Sequence, residues 1–175
     1  MNSFQLLATP WWVNLLILVP FAAYFFWHNQ GLSLSKRTLL AVALFGIAFG
    51  FNEAVVVVYL RSALNISQQI QALTTLSSFF SAVEFWREAA TIIMLASVAW
   101  LGARSLHNRA AVFLWAFAFW DIFYYVGLWA TIHWPISLLS SDVLFLIPVP
   151  WLSQVWFPIL VSLLTIGSVI LARRD

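Results

Sequence analysis

The chain has no cysteine, and only 8% of its 175 residues are charged. Without cysteine there are no disulfides, thiolate metal sites or cysteine nucleophiles. The scarcity of charge excludes more. A soluble domain carries about 25% charged and about 45–50% apolar residues, whereas here 63% are apolar and 18% aromatic. A soluble chain of this length has too much surface for its volume to hide so much apolar area. The eight Lys and Arg are scattered and leave a formal net charge of +2, which is no basic stripe for nucleic acid. The chain therefore reads as an all-α integral membrane bundle, a single domain without internal repeats, with the lipid bilayer as its solvent.

A transmembrane helix needs about 20 mostly apolar residues. Five segments qualify, at roughly 10–28, 38–60, 80–103, 110–133 and 150–172. The apolar run 143–149 is too short to span and is bounded by Pro148 and Pro150. It predicts an interfacial or re-entrant half-segment inside a proline-rich outer connector. The uncharged stretch 62–78 repeats Ile66, Ile70 and Leu73 at helical spacing, the pattern of a short amphipathic helix on the outer surface. Pro20 and Pro158 are expected to kink the first and fifth helices.

Orientation follows from the cations. Lys36, Arg37, Arg104, Arg109, Arg173 and Arg174 all fall on one side of a five-span topology, so that side is cytoplasmic and the N-terminus outside. The first nine residues hold no Lys or Arg and so lack the charged start of a secretory signal; the first apolar stretch is expected to stay as a helix.

The informative residues are the ionisable ones that lipid would not choose. A charge at the bilayer centre costs about 2.5–3.5 kcal/mol on insertion scales, so such groups face protein or water and find partners. Glu53, Glu84, Glu88 and Asp121 lie within or at the edge of spans, and Arg61 and Arg87, the two cations that break the topology pattern, lie nearest them. Glu84, Arg87, Glu88 and Thr91 share one helical face. Gly46 and Gly50 form a small-xxx-small stripe that Glu53 extends, which puts Glu53 in a helix–helix interface. Convergence of these faces with Asp121 gives an outward-opening acidic pocket, walled by Trp86, Trp120, Tyr124 and Trp129. Asp142 falls near its mouth, on the proline-rich connector. Within the pocket Arg87 is expected to hold one carboxylate ionised, with Asp121 or Glu53 as the titrating member.

Two roles fit Glu53, Glu84, Arg87, Glu88 and Asp121: an ion-pair network that fixes helix packing, or a ligand and proton site with Trp120 and Tyr124 as walls. For the second, an acidic aromatic pocket suits a small lipophilic or cationic molecule, transported or sensed, with proton coupling through a surplus carboxylate. Other candidate roles are an accessory subunit that docks on further membrane subunits, and an intramembrane enzyme acting on a lipid, quinone or isoprenoid. No metal and no cofactor is expected. The chain has no Glu-x-x-His pair of the di-iron kind, and His28, His107 and His133 are divided between the two membrane faces.

The strings Arg87-Glu88-Ala89-Ala90, Trp120-Asp121-Ile122-Phe123-Tyr124-Tyr125, Trp134-Pro135, Leu144-Phe145-Leu146-Ile147-Pro148 and Pro150-Trp151 resemble those of a group of small bacterial membrane proteins. The likeness covers roughly residues 84–160 and implies a bacterial inner-membrane protein, with no activity attached. The five spans and the wealth of tryptophan also suggest the tryptophan-rich sensory proteins, but the Trp/Pro signature motifs of that family do not occur.

Overall fold

The computed structural model describes residues 7–63 and 78–174. The outer amphipathic helix expected over 62–78 therefore falls almost wholly outside the described residues. Among those described the fold is mostly helical. A 3-10 stretch, Trp11–Ile17, leads into α1 (Leu18–Gln30), followed by α2 (Lys36–Ala63), α3 (Ser78–Gly102), α4 (Leu106–Ile132) and α5 (Trp156–Ala172). Between α4 and α5 the chain forms an antiparallel hairpin of β1 (Ser141–Phe145) and β2 (Trp151–Gln154).

The hairpin refines the expected helical bundle by adding one small antiparallel sheet. The run 143–149, expected as an interfacial or re-entrant half-segment, is not helical but forms the end of β1 and the turn after it. Nor does the last helix begin at residue 150, because Trp151–Gln154 pairs with β1 in the register Ser141↔Gln154, Asp142↔Ser153, Val143↔Leu152. A further rung joins β2 to the N-terminal segment, where Thr9 and Leu152 exchange N–H···O bonds of 2.8 Å. Apolar content alone cannot tell a buried strand from a buried helix. Trp11–Gln30, α2 and α4 are long and apolar enough to cross a membrane. The 25 residues of α3 are as long but carry three charged side chains. The 17 of α5 rise only about 25 Å.

Local chemistry sets the helix ends. Ser35 Oγ accepts the Thr38 N–H (3.0 Å) at the start of α2, a side-chain cap. Gly31, at φ 72°, ends α1, and His133, in the left-handed conformation, ends α4 ahead of Pro135. Pro20 and Pro158 are each the third residue of an α-helix; Pro158 falls in the first turn, where the missing N–H has no intrahelical partner to lose, and Pro20 follows the 3-10 stretch Trp11–Ile17 at the change to α-helix.

α4 is the central helix, packed along α2, α3 and α5, and α1 lies against α5. The α2–α4 contact is a backbone contact. A Cβ on Gly46 would stand 2.8 Å from the Ala116 carbonyl oxygen, and one on Gly127 2.8 Å from Ala54 Cβ. One on Gly50 would strike the Trp120 carbonyl oxygen. The glycine stripe thus works as its spacing implied. The deep Trp115 joins the core and donates its indole N–H to the Leu39 carbonyl (2.9 Å).

Successive helices alternate in direction, so the α1–α2 and α3–α4 connections and the end of α5 meet at one end. There Leu32 N–H donates to Ala172 O (2.9 Å) and Arg174 N–H to Leu32 O (3.2 Å). That end gathers Lys36, Arg37, Arg104, Arg109, Arg173 and Arg174. The hairpin closes the opposite end. Large apolar side chains, Phe25, Leu44, Ile93 and Leu171 among them, are exposed around the bundle.

Candidate functional site

A cavity of about 130 Å³ occupies the half of the bundle remote from the basic end. Several water molecules fit such a space, since one needs only about 10–15 Å³ of it. The seven residues of the expected ligand and proton site all line it: Glu53 from α2, Glu84, Arg87 and Glu88 from α3, Trp120, Asp121 and Tyr124 from α4. Thr91 lies beside them, so the i, i+3, i+4, i+7 face of α3 points inward as a unit. Trp86 and Trp129 do not form walls. Both are exposed, because Trp86 sits on the outer side of α3 and Trp129 lies two turns beyond Asp121.

The first layer of chemistry is an ion-pair bridge between α2 and α3. Arg87 Nη1 pairs with Glu53. Its Nη2 and Nε reach Glu84 Oε2 at 2.7 and 2.8 Å. Each carboxylate is buried, and Arg87 bridges them as a two-pronged donor, the geometry guanidinium favours. Of Asp121 and Glu53, the two acids expected as the titrating member, Glu53 is thus the one in an ion pair.

The second layer ties the hairpin to the helices. Glu88 accepts the Leu146 N–H with both carboxylate oxygens (3.0 and 2.8 Å). Asp142 Oδ2 accepts the Tyr125 hydroxyl proton (3.1 Å). Burial pushes the Asp142 carboxyl up to about 6, against the opposing pull of Arg61, the Val143 N–H and Tyr125. The third layer lies deeper, where Asp121 Oδ2 accepts the Ser162 hydroxyl proton (2.8 Å) from α5.

Helical spacing already puts Tyr125 on the face of Asp121, four residues on, but gives it no role in the site; Ser162 is not singled out by the sequence, and Asp142, expected only near the mouth, is buried in the wall. Ser162 carries no local signal, since a single hydroxyl in an apolar helix is common. The Leu146 N–H leaves no trace in any side-chain pattern.

Altogether five carboxylates, Glu53, Glu84, Glu88, Asp121 and Asp142, face two guanidiniums, Arg61 and Arg87, within walls that include Phe117, Trp120, Phe145 and Trp151. Among the described residues no group of three or more His, Asp or Glu side chains is disposed to hold a metal ion. Such an arrangement can neutralise a positive charge and stack on its apolar parts. The chain matches no protein-family model, no curated protein and no solved structure.

Proposed function

We propose that this is a five-span bacterial inner-membrane protein, basic end cytoplasmic, that binds a small cationic molecule in a cavity open to the outer face, as a transporter or a sensor does. The membrane reading is supported by the apolar side chains exposed around the helices and by six cations at one end, in keeping with the positive-inside rule. On this topology α3 and α5 also cross, with the charges of α3 turned into the cavity and the hairpin extending α5 at the outer face.

The observation that carries the ligand reading is a pair of buried carboxylates that, among the described residues, stand in no ion pair. Arg87 is taken up by Glu53 and Glu84. Asp121 and Asp142 meet only hydroxyl and backbone donors, and among the described residues neither is in an ion pair. A buried carboxylate in that condition either takes up a proton or meets a counter-ion.

The test is calorimetric titration of the protein, in phosphatidylglycerol nanodiscs, with n-propylammonium. Asp121→Asn is expected to weaken binding at least tenfold while the unfolding midpoint stays within a few degrees. Affinity should also fall as the pH is lowered through about 6, because protonation removes the Asp142 charge that the cation meets. Binding that is indifferent both to Asp121→Asn and to pH would sink the reading.

A further inference from the structure

The carboxylates describe one half of the cavity's chemistry. The other half lies in its unused donors. Among the described residues, three buried side-chain N–H donors lack a hydrogen-bond partner: Arg61 Nη1, Trp120 Nε1 and Trp151 Nε1. All three belong to residues that line this cavity. Orphaned buried donors are rare, and each costs about 1–3 kcal/mol if nothing satisfies it.

Their placement is specific. Trp120, only 7% exposed, and Trp151 flank the Phe145 ring, with centroids at 6.1 and 5.5 Å. The Arg61 guanidinium lies over the Trp134 ring, 4.6 Å from its centroid. Arg61 makes no ion pair among the described residues, yet it acts electrostatically on the Asp142 carboxyl and on Tyr124, which also feels Asp121. A free guanidinium therefore stands close to an acidic wall without being consumed by it. A plain cation would satisfy that wall and leave every one of these donors empty.

We infer that the occupant is a compact zwitterion, with a cationic nitrogen for Asp121 and Asp142 and an anionic oxygen for Arg61, the indole N–H groups offering further donors. This deepens the reading of the cavity as a cation site and rests on it. A primary ammonium suits the wall better than a quaternary one, because its N–H groups can donate to the spare carboxylate lone pairs. Two sources offer that chemistry: a free ω-amino acid and the ethanolamine headgroup of a lipid.

The experiment uses the same nanodiscs, whose lipid carries no amine. Four probes are titrated: n-propylammonium, β-alanine, glycerophosphoethanolamine and inorganic phosphate. At least one zwitterion is expected to bind tenfold or more tighter than n-propylammonium, and whichever is tighter identifies the source. Arg61→Gln should erase that advantage; Arg61→Lys should keep part of it, which separates a lost charge from a damaged fold. If n-propylammonium binds as tightly as either zwitterion, the inference is overturned while the cation site stands. Tightest binding of phosphate alone overturns both. So does a failure of all four probes on folded protein.

Discussion

Replacing Arg87 with methionine is expected to lower stability by about 3 kcal/mol, the low end of the range for breaking a buried ion pair. The guanidinium bridges two buried carboxylates on different helices, Glu53 of α2 and Glu84 of α3. Methionine keeps most of the volume and removes the charge, so two acids lose their shared partner at once. The low end applies because the Arg87 side chain is 25% exposed, and water reaching it softens the loss. Adding Glu53→Gln and Glu84→Gln should recover most of the stability, since what destabilises is uncompensated charge and not missing bulk. Thermal unfolding in nanodiscs measures both steps. A single variant as stable as the wild type, or a triple variant no better than the single one, would show that the bridge does not hold α2 to α3.

Gly50→Leu should be about as damaging, for a steric reason. The new Cβ meets the Trp120 carbonyl oxygen, with the Tyr124 nitrogen at 2.9 Å and the Phe123 carbonyl carbon at 3.1 Å. These are backbone atoms of α4, so no rotamer change relieves the clash and the two helices must part. Overpacking typically costs about 1–3 kcal/mol and sometimes more; contact with backbone puts this position at or above the upper limit. Cation binding should be lost as well, because Glu53 lies one turn on and Trp120 and Asp121 are on the displaced helix. Gly167→Ala is the control. Nothing lies within 4 Å of its Cβ, and that substitution should be neutral or slightly stabilising.

What was legible in the sequence followed from periodicity and from the rarity of charge. Gly46, Gly50 and Glu53 share a stripe, and Glu84, Arg87, Glu88 and Thr91 share a face, because helical geometry depends only on spacing. In lipid an ionisable side chain must turn inward, so the faces bearing Glu53, Glu88 and Asp121 had to converge. The hairpin was not legible. Residues 141–154 are apolar and proline-rich, and their strand pairing with each other and with Thr9 is decided by backbone donors that side-chain patterns do not record. The same blindness hid the Leu146 N–H on Glu88 and the Ser162 hydroxyl on Asp121. The partner of an acid is fixed by tertiary contact, which spacing does not record: Arg87 on Glu53 and Tyr125 on Asp142.

The central claim is an acidic cavity reached from the outer face, and the natural absence of cysteine makes it directly testable. Val57, half-buried on the cavity wall, can be changed to cysteine as the sole thiol of the chain. Its reaction with membrane-impermeant cationic and anionic methanethiosulfonates is then followed from each side of the membrane. Reaction is expected from the outer side, about tenfold faster with the cationic reagent, with a difference that shrinks when Asp121→Asn is added. Reaction only from the cytoplasmic side, or a faster rate with the anionic reagent, would contradict it.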